Sequence, residues 1–124
     1  MIRFTSTNVI TLVKHMKNIT LKERFFADMD NEQIEFDDGH RGVALSKTDY
    51  IKNHEGKEHL LKEKDYIYLY MDIGKDASGQ TDYVFAEGHI PDYPNTTPCK
   101  WCCKYAGDVL YRDDYQKTLQ KNYN

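Results

Sequence analysis

The residues best suited to chemistry lie in the second half of the chain. Tyr66, Tyr68 and Tyr70 alternate along one segment, Tyr83 and Phe85 along the next, and Trp101 and Tyr105 along a third. An exposed row of aromatic rings on a sheet can stack nucleobases, because every base presents a π-face. Cations stand nearby: Arg41 and Arg112 are two of four arginines, and Lys100 and Lys104 flank Trp101. Arginine pairs bidentately with phosphate. Aromatics with one or two arginines at their rim are the parts of a pocket for a phosphate-bearing small molecule. Tyr68, Tyr70, Phe85, Trp101, Tyr105 and Arg112 form the candidate ligand-binding set. The bland alternative is that tyrosine merely favours half-buried pleated surfaces, or that the N-terminal helices cover this face.

Other constellations carry less. Cys99-x-x-Cys102 has zinc-knuckle spacing, with Cys103 and His89 close in sequence. On a strand, however, Cys99 and Cys103 face one way and Cys102 the other, and no second ligand pair is present. Buried free thiols are the simpler expectation, with no metal and no cofactor. Glu35, Asp37, Asp38 and His40 gather at a turn, and Glu87 and His89 share one face of a strand. Such groups can support metal-assisted phosphodiester cleavage, which keeps an enzyme as a minority alternative. No HExxH, GxSxG, Walker or EF-hand pattern is present.

The elements that must position these residues follow from periodicity. Ser6 or Thr7 can cap a helix with Val9, Val13 and Met16 on one stripe, ending near Asn18. Thr20-Leu21-Lys22-Glu23 has capping-box spacing, and Leu21, Phe25 and Met29 follow at helical intervals, which predicts a second helix over 21–29. The period then changes to two. Strands are expected at 33–36 and 43–45 around an Asp37-Asp38-Gly39 turn, with a helical turn over 46–51 and an exposed helical turn within 58–64. The clearest strand is Tyr66–Ile73, whose Ile67, Leu69, Met71 and Ile73 form a core face opposite the tyrosines. Thr81–Ile90 returns as its hairpin partner, Pro91–Pro98 is a rigid connector, and Cys99–Tyr105 is the next strand. Ala106-Gly107 is expected to turn the chain so that Asp108–Arg112 comes back. Residues 113–124 read as a polar tail or frayed helix.

The expected fold is therefore α+β: two short N-terminal helices in 6–30, then an antiparallel, partly barrel-like sheet of about six strands in 33–112. Two helices are too little to cover such a sheet, so a homodimer or higher oligomer through them is expected.

Composition sets the outer bounds. The 124 residues make one domain, able to bury roughly two-thirds of the unfolded surface. Apolar residues make up 40%, and no run approaches the length of a membrane helix. There is no signal-peptide pattern at Met1–Thr5, and three clustered cysteines do not suggest a disulfide framework, so a cytoplasmic protein is expected. The net charge of −3 supplies no basic field for non-specific nucleic-acid binding. Nine of the ten tyrosines fall from Tyr66 onward, which places the compositional excess in the sheet.

Two family resemblances follow. Two short helices before a Tyr-rich antiparallel sheet resemble the phage anti-defence sponges that counter Thoeris immunity. That resemblance implies non-catalytic sequestration of a cyclic ADP-ribose-type nucleotide signal, oligomerisation through the helices, stacking near Phe85 and phosphate contacts near Arg112. Lys64-Asp65-Tyr66-Ile67-Tyr68-Leu69-Tyr70 followed by Tyr83-Val84-Phe85-Ala86-Glu87-Gly88 is similar to the central hairpin of PUA-like barrels, which implies reading of RNA or modified DNA. The missing basic patch weighs against the latter. A protein inhibitor of a host nuclease, of anti-CRISPR or anti-restriction type, is the remaining alternative.

Overall fold

The computed structural model describes residues 17–91 and 100–123. The chain runs β1 (Phe25–Phe26), β2 (Gln33–Glu35), β3 (Arg41–Ser46), β4 (Tyr50–Lys52), β5 (Glu58–Leu60), β6 (Tyr66–Lys75), β7 (Thr81–His89), β8 (Trp101–Tyr105), β9 (Leu110–Tyr111) and α1 (Arg112–Tyr123). A seven-stranded sheet has the order β1-β6-β7-β8-β3-β2, with β9 also paired to β7. Strands β4 and β5 form a separate hairpin. The sheet curls until Phe26–Asp28 and Ala44–Lys47 border one gap of about 230 Å³.

The expected α+β arrangement is overturned: the described fold is mostly β, with a single C-terminal helix, and the sheet is mixed. The first expected helix, up to residue 16, lies outside the described residues, as do most of the proline connector and Cys99. The second is absent. Its capping-box segment closes one 3₁₀ turn, Leu21–Glu23, through Glu23 N–H to Thr20 O at 3.1 Å. The chain then extends and pairs parallel to β6, Phe25 with Leu69 and Phe26 with Tyr70.

Tertiary burial explains the override. A helix would set Leu21, Phe25 and Met29 on one stripe, whereas an extended chain alternates its side chains. Phe25, Ala27 and Met29 join the aliphatic core, and Arg24 is carried to the opposite face with no exposure. A dependence on the expected N-terminal helix pair for self-association loses its second helix.

Three further expectations change. The helical turns at 46–51 and 58–64 give way to the β4–β5 hairpin, pairing Tyr50 with Leu60 and Ile51 with His59. Leu61 N–H donates to Asp49 O at 2.8 Å, and Trp101 Nε1 donates to the Asp49 carboxylate at 2.9 Å, which ties this hairpin to β8. The polar tail is helix α1, which buries Tyr115 and Leu119 one turn apart. Asp113 and Asp114 in its first turn complement the helix dipole. Finally, the chain does not turn back after Tyr105. Both β8 and β9 run antiparallel to β7, with Tyr105 opposite Gly88 and Leu110 opposite Phe85. They are two parts of one strand path, and 106–109 bulges out between them.

The central hairpin matches its expectation: β6 and β7 pair from Tyr66–His89 to Asp72–Tyr83. Its aliphatic face, with Ile67, Leu69, Met71, Val84 and Ala86, packs with Val43, Leu61, Ile90 and Cys103. Each fully buried Leu, Ile or Val contributes about 1.5–3 kcal/mol. Strand β8 lies tightly between its neighbours. A Cβ on Gly88 would meet Lys104 O at 1.9 Å, and one on Gly42 would meet Cys103 O at 2.1 Å. Any side chain at either position would push β8 out of the sheet. Among the described residues no helix is long and apolar enough to cross a membrane.

Candidate functional site

The tyrosine face exists, but it is not an open platform. Cross-strand pairing puts Tyr66, Tyr68 and Tyr70 on the same face as His89, Glu87 and Phe85. Helix α1 and the Leu21–Arg24 segment cover the centre of that face. Phe85 and Tyr115 meet edge to face at 5.6 Å and form a second core with Leu119, with Leu21, Tyr70, Tyr83 and Leu110 packed against it. The Arg24 guanidinium lies 3.9 Å from the Phe85 ring centroid, 4.7 Å from Tyr115 and 5.9 Å from Tyr68. One of its nitrogens donates to Leu69 O at 3.1 Å. Glu87, 3% exposed, accepts from Tyr66 Oη at 2.7 Å and from Tyr115 Oη at 2.5 Å. Burial, and then the Glu87 charge, pushes both phenols above the ordinary tyrosine range; for Tyr115 the Arg24 cation pulls the other way.

The stacking surface expected at Phe85 is thus occupied by the protein's own arginine. Cation–π contacts of this desolvated kind contribute about 2 kcal/mol or more. Glu87, one of the groups considered for metal-assisted phosphodiester cleavage, accepts from two tyrosine hydroxyls and is buried. This cluster joins the N-terminal segment, the sheet and α1, and its role is structural. Sequence reasoning passed over Arg24; the available signal was one cation inside the apolar stretch Leu21–Met29.

The six candidate residues do not converge. Tyr68, Tyr70 and Phe85 share the covered face. Trp101 and Tyr105 lie on the other side, packed with the aliphatic core. The expected coincidence of three aromatic faces fails because Tyr105 pairs with Gly88, which belongs to the Ile67 face. Arg112 starts α1. The Asp76 carboxyl is held below the usual range mainly by the Ser78 hydroxyl and the Gln80 N–H, with Arg112 a smaller contributor. Cys102 and Cys103 are buried free thiols on successive strand positions, and burial pushes Cys103 well up. Among the described residues no His, Cys, Asp and Glu group is placed to hold a metal.

One expected residue does line a cleft. Strand β3 begins at Arg41, close to where β8 stops pairing with it before Tyr105, since the pair nearest that end is Gly42 with Lys104. The bulge at 106–109 swings away from the sheet. The opening between is about 700 Å³, with Gln33, Gly39, His40 and Arg41 on one side and Tyr105 to Leu110 on the other. That lies within the 300–1,000 Å³ usual for small-molecule sites. Bulges commonly occur beside functional sites, where they re-aim side chains.

Asp38, on the turn beside the cleft, is engaged: the Lys104 ammonium lies on its carboxylate, and the His40 N–H donates to it at 3.0 Å. Lys104, first, holds its carboxyl well below the usual range. Arg41 is exposed and makes no ion pair among the described residues, although Glu35 faces it across the ladder. Tyr105 is only 8% exposed, and its buried hydroxyl has no hydrogen-bond partner among the described residues. Burial pushes that phenol above its ordinary range. A buried hydroxyl with no partner costs about 1–3 kcal/mol.

No known protein family, curated protein or solved structure matches the chain.

Proposed function

We propose that the protein is a non-catalytic binder that sequesters a nucleotide-type small molecule in the cleft between Arg41 and the 106–109 bulge. The observation that carries this reading is the Tyr105 hydroxyl. It is buried and has no hydrogen-bond partner among the described residues, and Tyr105 lines a cleft whose Arg41 makes no ion pair among them. A ligand phosphate pairs with the Arg41 guanidinium. A ligand acceptor takes the Tyr105 hydrogen bond and cancels the cost of the orphan. Ala106, Val109 and Leu110 supply apolar contact for a neutral body. Binding is stoichiometric and leaves the ligand unchanged. In a phage or mobile-element accessory protein, such sequestration would remove the messenger of a host defence that signals with nucleotides.

The test is release of bound ligand. Freshly purified protein is heat-denatured and the supernatant examined by mass spectrometry. A phosphate-bearing molecule at near-stoichiometric yield, intact and lost from Arg41→Ala protein, is the expected result. An empty supernatant together with no thermal shift across a nucleotide panel would overturn the reading.

A further inference from the structure

We infer that the cleft takes a ribonucleotide in particular, with Asp108 holding the sugar's vicinal hydroxyls while Arg41 holds the phosphate. This inference rests on the binding reading above and deepens it.

The two walls of the cleft carry opposite charge. Arg41, at the start of β3, and Asp108, on the bulge, both line the opening. Asp108 is exposed and makes no ion pair among the described residues. A carboxylate in such a place disfavours a purely anionic ligand such as inorganic phosphate or an oligophosphate, because part of the ligand would lie against like charge. It favours a ligand with an anion at one end and hydroxyl donors at the other. An ionised carboxylate only accepts hydrogen bonds, and it offers two oxygens. Adjacent ribose hydroxyls are matched donors, and a single acidic side chain is sufficient to read the 2′-hydroxyl in other nucleotide sites.

Tyr105, whose buried hydroxyl has no hydrogen-bond partner among the described residues, also lines the cleft. Val109 and Leu110, adjoining Asp108, supply apolar surface for the base. The opening of about 700 Å³ accommodates a mononucleotide rather than only an isolated anion.

The experiment compares 5′-AMP, 2′-deoxy-AMP and inorganic phosphate by titration calorimetry on the full chain. Wild type, Arg41→Ala, Asp108→Ala and, as a control on the first turn of α1, Asp113→Asn are measured. Wild type is expected to bind AMP at least about tenfold more tightly than deoxy-AMP, the size of one hydrogen bond to a charged group. Asp108→Ala should bring that ratio close to one, and Asp113→Asn should leave it unchanged. If Asp108 acted only by repelling phosphate, its loss would tighten both nucleotides and preserve the ratio; that outcome overturns the inference. Equal wild-type affinity for the two nucleotides also overturns it, while leaving the binding reading intact. Unchanged AMP affinity in Arg41→Ala, or no binding of AMP by wild type, overturns the site as well.

Discussion

Two clusters in this molecule use the same residue types to opposite ends. In the closed cluster, Arg24 lies among Phe85, Tyr115 and Tyr68, and Glu87 receives two tyrosine hydroxyls. In the open cleft, Arg41 and Asp108 make no ion pair among the described residues, and Tyr105, whose buried hydroxyl has no hydrogen-bond partner among them, lines the same opening. Arginine, tyrosine and carboxylate appear in both. The difference is what surrounds them. The closed cluster is covered by α1, so its charges must be satisfied internally; among the described residues the Arg24 Nε atom has no hydrogen-bond partner. The cleft lies where one strand begins and another bulges, so Arg41 and Asp108 face solvent. Burial without satisfaction is costly, and a charge that is satisfied by the protein has little left to offer a ligand.

The largest test of the contrast is Arg24→Ala. The substitution removes a fully buried side chain and leaves the Phe85 and Tyr115 rings without the cation beside them. Loss of about 3 kcal/mol or more is expected, as for one partner of a buried charge network. Urea unfolding measures it, and a change under about 0.5 kcal/mol would show the cluster to be no more than surface decoration.

A smaller loss follows from Tyr115→Phe, which deletes one hydrogen bond to the buried carboxylate. About 1.5–3 kcal/mol is expected for a bond to a charged group. The same cluster fixes the alkaline response. Folding raises the Tyr66, Tyr105 and Tyr115 phenols above their unfolded range. Above about pH 10 the unfolded chain releases these protons while the folded chain keeps them, so stability falls as pH rises. Below that range the contribution is fully present. Unfolding midpoints from pH 8 to 11.5 should fall only at the upper end, and Tyr115→Phe should show a weaker fall than wild type.

The contrast also explains what was legible in the sequence. The β6–β7 hairpin announced itself because Tyr66 to Ile73 alternates strictly and one face is buried. The turn before β3 was legible because Asp37-Asp38-Gly39 bonds its own backbone, His40 N–H to Asp38 and Gly39 N–H to Phe36 O. The Leu21–Met29 segment misled, since its apolar spacing suits a helix and nothing local shows that β6 has a free edge. Residues 113–124 read as a polar tail or frayed helix, and Tyr115 and Leu119 are what pack α1 against Phe85 among the described residues. The cleft was least legible. Arg41 and Tyr105 were each visible as candidates, but their meeting depends on where β3 begins and on the bulge after Tyr105. Both are properties of register, not of local composition. Trp101 resembled a binding aromatic and instead fastens the β4–β5 hairpin through Asp49.

Arg41→Ala then separates stability from binding. The side chain is exposed and makes no ion pair among the described residues, so a stability change within about 0.5 kcal/mol is expected. Affinity for a phosphate-bearing ligand should fall by about tenfold or more, as for a lost charge-assisted hydrogen bond. A large stability loss without any change in affinity would place Arg41 in the same class as Arg24 and dissolve the contrast.

The smallest stability effect, and the most telling sign, belongs to Tyr105→Phe. The ring stays in the aliphatic core while the buried hydroxyl disappears. For a satisfied hydroxyl this substitution destabilises; for an orphan it is neutral or stabilising, by up to about 1 kcal/mol, because no partner is lost and a desolvated polar atom is removed. Ligand affinity should fall at the same time, since the donor is gone. Stability unchanged or raised with affinity lowered is the pattern of a group kept for a ligand at the expense of the empty protein. Destabilisation by Tyr105→Phe with affinity intact would mean that the hydroxyl has a structural partner after all, and the cleft would lose the observation on which its assignment stands.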